Sequence, residues 1–142
     1  MRIRLAALWI TSAGLAVLLA QTPTIRKVPL APTSPGSGKE MFETYCAVCH
    51  GPDGKGNGPA APALKKSPAD LTQLTRKSTN GKFPELRVSQ VVASGPAEIL
   101  AHGSPDMPVW GQLFRSLGSG DEGVVRIRIV NLTDYVKSIQ AR

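Results

Sequence analysis

"YCAVCHGPDGKGNGPAAPAL", residues 45–64, contains both cysteines of a 142-residue chain and one of its two histidines. Two thiols and an imidazole lie almost side by side, followed at once by a loop of Gly and Pro. A disulfide between Cys46 and Cys49 would close too small a loop to constrain the unfolded chain much. A redox-active dithiol is a second reading of C-x-x-C. A structural zinc site is a third, but it wants four ligands, and beyond Cys46, Cys49 and His50 only the distant His102 remains.

A fourth reading uses every one of these residues. C-x-x-C-H is the attachment signature of a c-type haem. On a helix, positions i, i+3 and i+4 share a face. Cys46 and Cys49 can then form thioethers along one edge of a porphyrin, with His50 beneath the metal to give its imidazole to iron. The preceding segment reads as a helix: Ser37 and Glu40 have capping-box spacing, and Met41, Phe42 and Tyr45 recur at helical intervals as core residues.

The loop "GPDGKGNG" has two impostors. A phosphate-binding P-loop needs Lys-Ser/Thr after its last Gly, whereas Gly56 is followed by Asn57. A calcium loop fits Asp53 and Asn57, but Lys55 takes a ligand position and Leu64 stands where a bidentate Glu is required. What remains is a run of tight turns around a bulky group. Here the stretch "CAVCHGPDGKGNGPAAPAL" resembles the bacterial monohaem members of the class I cytochromes c. The resemblance implies that a proline carbonyl after the histidine accepts from the other imidazole nitrogen, with Pro62 the best match and Pro59 its competitor. Such a partner fixes the ring and strengthens the ligand.

A haem held by one histidine leaves its other face to be filled, and the filling decides between electron transfer and chemistry on a bound molecule. Of the three methionines, Met1 lies at the extreme N-terminus and Met41 is too close to Cys46 to reach the far side. Met107, in "HGSPDMPVWG", is bracketed by Pro105 and Pro108, which hold the chain extended. "MPVWG" also resembles the family's distal-ligand segment, so Met107 is the expected sixth ligand. His102 is the rival, and Trp110 is expected against the porphyrin or in ordinary core packing.

The rest of the chain frames this centre. Residues 1–20 read as a signal peptide or N-terminal anchor: Arg2 and Arg4 precede an uncharged apolar run, somewhat short for a membrane span. Residues 21–38 read as a Pro-rich linker outside the fold, and residues 39–142 as the haem domain. Export to the periplasm follows, and a retained N-terminus would tether the domain to the outer face of the inner membrane. The net charge of +7 comes with only 5% aromatic residues, too few for a nucleic-acid stacking platform. A weakly basic face suits an acidic redox partner instead: a dehydrogenase, an oxidase or a respiratory complex.

Toward the C-terminus, Val125, Ile129, Leu132, Val136 and Ile139 recur at helical intervals. "RIRIV" alternates like a strand, so only residues 131–140 are assigned to a helix without ambiguity. "PADLTQL" predicts a short helical turn, Pro84 opens a helix ending at Gly95, and "PAEILAHG" forms one more. In the resembling family the terminal helices cross near a glycine and an aromatic, for which Gly38, Phe42, Leu132 and Tyr135 are the counterparts. The expected fold is all-α, a few helices with long loops around one covalently bound haem c. The expected activity is one-electron transfer by a carrier, alone or as the haem subunit of a larger oxidoreductase, with Cys46, Cys49, His50 and Met107 binding the cofactor. The alternative is a haem enzyme or ligand sensor with an open sixth position.

Overall fold

The computed structural model describes residues 31–95 and 107–141. Among these residues the regular structure is helical, with no strand. Helix α1 runs in three consecutive pieces: α-helical Gly38–Met41, a π-helical Phe42–Cys46 and α-helical Ala47–His50. A 3₁₀ turn at Leu71–Gln73 leads into α2, Leu74–Lys77. Helices α3 (Glu85–Ser94), α4 (Trp110–Leu117) and α5 (Glu122–Ser138) complete the fold.

The core is built where α1, α4 and α5 meet. Met41, Phe42, Phe114 and Leu132 are wholly or almost wholly buried, joined by Tyr45, Val92, Trp110, Val125 and Val136. Helices α1 and α5 cross at the predicted residues, and they do so backbone to backbone. A Cβ on Gly38 would lie 2.0 Å from the Asn131 carbonyl oxygen and 2.9 Å from Tyr135 Cβ. Just beyond, the Phe42 and Tyr135 rings pack at 5.2 Å between centroids.

The N-terminus of α1 is capped as half of the expected box. Ser37 Oγ accepts from the Glu40 N–H at 3.2 Å. The reciprocal bond goes elsewhere, because Glu40 Oε2 accepts from the Ser34 N–H rather than from Ser37. The reason lies upstream: residues 31–37 are fastened to the helices. Tyr45 donates to the Ala31 carbonyl at 2.6 Å, Arg128 donates to Thr33 Oγ1 and to the Thr33 carbonyl, and Asn131 Nδ2 donates to the Pro35 carbonyl. Residues 31–37, inside the linker expected over residues 21–38, are thus packed against the helices. Proline content signals an extended chain, but an extended chain with free carbonyls can be stapled by polar side chains from the core.

The ambiguity in "RIRIV" resolves to helix. Asp121 caps α5 by accepting from the Gly123 and Val124 N–H groups, and Val125, Leu132 and Val136 all turn inward. Exposed Ile127 breaks the strand pattern, because on a helix it falls opposite the core. Helix α3 begins after Pro84 and ends at Gly95 as read from sequence. Helix α4 is a finding of the structure; prolines upstream and Gly111 at its second position hide a short amphipathic turn that buries Trp110 and Phe114. The helix expected in "PAEILAHG", His102 and the N-terminal signal or anchor lie outside the described residues. Among the described residues, no helix is long and apolar enough to cross a membrane.

The crossing generates a test. Gly38→Ala would gain up to about 1 kcal/mol of helix propensity. It would also force a methyl into backbone atoms that cannot swing aside, and overpacking of this kind costs about 1–3 kcal/mol or more. Net destabilisation is expected, read as a lowered guanidinium midpoint of the purified protein.

Candidate functional site

Cys46, Cys49 and His50 occupy the C-terminal end of α1. The π-helical piece lengthens the turn before them: the Ala47 N–H bonds back to the Phe42 carbonyl, five residues earlier. Such widened turns recur at functional sites, where they re-aim the side chains that follow. Here Met41, Phe42 and Tyr45 all remain buried while Cys46 and Cys49 stay partly accessible and unbridged. Val48, between the two thiols, is exposed.

The end of a helix leaves carbonyls without partners, and the glycine-rich loop supplies donors to them. Ala60, Gly58 and Gly56 donate their N–H groups to the carbonyls of Val48, Cys49 and His50, at 2.9, 3.0 and 2.7 Å. The loop does not simply skirt a bulky group; it folds back and caps the cysteine-bearing turn. Gly56 carries the tightest part of this return. Its φ is +83°, and a Cβ there would sit 2.4 Å from the Pro68 carbonyl oxygen. That close approach brings the next carbonyl, Ala69, to within 3.0 Å of His50 Nδ1.

The acceptor for His50 is therefore Ala69, and not Pro62 or Pro59. Pro62 lies exposed in a 3₁₀ turn, Ala61–Ala63. A carbonyl can only accept, so Nδ1 carries the proton and Nε2 keeps its lone pair for a metal. Burial disfavours the charged ring and pushes the imidazole below its ordinary pKa, and the Ala69 carbonyl offsets this in part; the net lowering favours the neutral form that can ligate a metal. From the other side, the C-terminus holds the loop down. Gln140 Nε2 donates to the Leu71 carbonyl, Gln140 Oε1 accepts from the Thr75 N–H, and the Leu71 N–H donates to the Gly54 carbonyl at 2.7 Å.

Met107 is partly buried and packs against the core, three residues before α4 begins. Trp110, at the start of α4, stacks on Tyr45 with ring centroids 5.4 Å apart. Tyr45 immediately precedes Cys46, so this stack seats the Met107 segment beside the cysteine-bearing helix. Trp110 itself is core, in contact with Tyr45 and Phe114.

Thiol-exchange chemistry fits this geometry poorly. Burial, with the Cys49 charge adding to it, pushes the Cys46 thiol up to about 12, and burial raises Cys49 too. A catalytic dithiol depends on a lowered pKa. Among the described residues, no group of three or more His, Cys, Asp or Glu side chains converges as a metal cluster would require.

The loop geometry gives a second test. Gly56→Ala places a side chain at positive φ, which costs about 1–3 kcal/mol, and pushes on the Pro68 carbonyl. The unfolding midpoint is expected to fall, whereas Pro62→Ala, outside the His50 contact, should leave it within error.

Residues 36–104 match the family model described as Cytochrome c. No curated protein matches the chain, and no solved structure matches it. The family implies a covalently bound haem c. The donor set fits that group: two unbridged thiols at C-x-x-C spacing, and a neutral imidazole with one nitrogen tied back and the other free. Among the described residues the fold is all-α, as in a cytochrome c-like domain, and the match over residues 36–104 points to a c-type cytochrome and to haem-based electron transfer.

Proposed function

We propose that the chain is a bacterial class I cytochrome c that carries one electron at a time on a single haem. Cys46 and Cys49 form the two thioethers, His50 is the proximal ligand through Nε2, and Met107 is the distal ligand. The observation that carries the reading is the Trp110–Tyr45 stack, which ties the Met107 segment to the helix bearing Cys46.

The haem supplies a one-electron change between ferric and ferrous iron. His50, oriented by Ala69, keeps one ring geometry through that change, and a rigid ligand set keeps reorganisation small. A methionine sulfur at the other position favours the ferrous form and raises the potential. Attachment through two cysteines retains the cofactor in an exported protein, where loss is hard to repair. Val48, exposed between the two thiols, would leave the attachment side of a bound haem open to a redox partner. Lys65 and Lys66, exposed after the loop, steer an acidic redox partner. Lys55, exposed on the loop and paired with Asp53 at 3.1 Å, belongs to the same basic stretch. The domain works in the periplasm, free or tethered by its N-terminus, with a dehydrogenase, oxidase or respiratory complex as partner.

Intact-mass analysis of natively matured protein is expected to show one covalently added haem, and its absence would overturn the reading. Absorption spectra should show a low-spin, six-coordinate centre in both oxidation states that ignores carbon monoxide. Met107→Ala should open the sixth position to carbon monoxide and lower the potential. A wild-type protein that binds carbon monoxide readily would point instead to a ligand sensor or haem enzyme.

A further inference from the structure

Arg128 lies where α5 should present an apolar residue. It falls between Val125 and Leu132 on the inward face and is only 4% exposed. Its guanidinium donates to Thr33 Oγ1 at 2.9 Å and to the Thr33 carbonyl at 2.8 Å, and sits 5.8 Å from the centroid of the Phe114 ring. Its Nε finds no partner among the described residues. Among the described residues no carboxylate pairs with it; the ion pairs they form join other cations at the surface. Each described group that holds this cation is therefore a neutral dipole or a π face. Such groups solvate the charge without cancelling it.

An uncancelled charge inside a protein acts over longer distances than one in water, because neither solvent nor salt screens it fully. The path from Arg128 toward the attachment site is entirely aromatic. Phe114 packs on Tyr45 at 5.9 Å, and Tyr45 precedes Cys46. Tyr45 also shares Thr33 with the arginine, through a 2.9 Å hydrogen bond between hydroxyls.

We propose that Arg128 is a built-in electrostatic bias on the redox centre, whose buried positive charge favours the ferrous state and so raises the potential. The inference rests on the haem-carrier reading above. When ferric iron accepts one electron from a one-electron donor, the charge of the centre falls by one. A fixed cation nearby stabilises the reduced state relative to the oxidised one, and no proton or bond has to move. At an effective dielectric of about 20, a unit charge ~10 Å from a redox centre biases the ferrous-to-ferric ratio by roughly tenfold, equivalent to about 59 mV for one electron.

The test uses the full chain, matured with haem, in four forms: wild type, Arg128→Met, Thr33→Asp and Thr33→Val. Mass and absorption spectra first establish that each carries haem with unchanged ligation; a wild type without haem would defeat the carrier reading itself. Each is then titrated against one-electron mediators. Arg128→Met removes the charge and Thr33→Asp counters it, so both are expected to shift the ratio about threefold to tenfold toward ferric at the wild-type midpoint. Thr33→Val keeps the charge and loses a hydrogen bond, so it should be less stable to guanidinium yet hold the wild-type ratio within about twofold. A shift below twofold in both charge-altering variants, or an equal shift in Thr33→Val, would reduce Arg128 to a purely structural clamp. If Arg128→Met does not mature, the Thr33→Asp and Thr33→Val pair decides the question alone.

Discussion

The contact on which the rest of the structure depends is the seat of Gly38 against the Asn131 carbonyl. With no side chain between the helices, α1 and α5 approach as closely as two backbones can, and the Phe42–Tyr135 and Leu132 contacts close around them. Both ends of the candidate site hang from this crossing. The far end of α1 carries Cys46, Cys49 and His50. The far end of α5 carries Gln140, which grips Leu71 and Thr75, and the Ala141 N–H, which bonds the Thr72 carbonyl. One helix presents the candidate ligands, and the other holds the loop that orients His50.

That loop does two jobs with one set of backbone groups. Its N–H donors satisfy the carbonyls that the end of α1 leaves open, and its return past Pro68 delivers the Ala69 carbonyl to His50. Neither task uses a side chain from the loop itself. The economy explains the composition of "GPDGKGNG": small residues let a strand of backbone lie directly on a helix terminus.

Tyr45 links the remaining parts. Its ring meets Trp110, which leads back to Met107, and Phe114, which leads to Arg128. Its hydroxyl meets Thr33 and the Ala31 carbonyl, which brings the incoming chain into the same cluster. A polar strap, a buried cation and the segment of a candidate distal ligand thus share one aromatic hinge beside Cys46.

Local chemistry was legible in the residues themselves. Cys46, Cys49 and His50 declare themselves by spacing, the inward face of α5 by its period, and the ends of α3 by Pro84 and Gly95, because each signal is carried by neighbours along the chain. Even the crossing residues were readable through likeness to a known family. What only the tertiary structure decided were the contacts between backbone groups distant in sequence. A carbonyl has no identity that composition reveals, so Ala69 could not be told from Pro62 until the loop was folded. For the same reason residues 31–37 read as linker, although their carbonyls are bound by Tyr45, Arg128 and Asn131. Arg128 was not legible at all: "RIRIV" reads as strand or helix, so only the fold turned this residue inward, where among the described residues it meets dipoles and a ring.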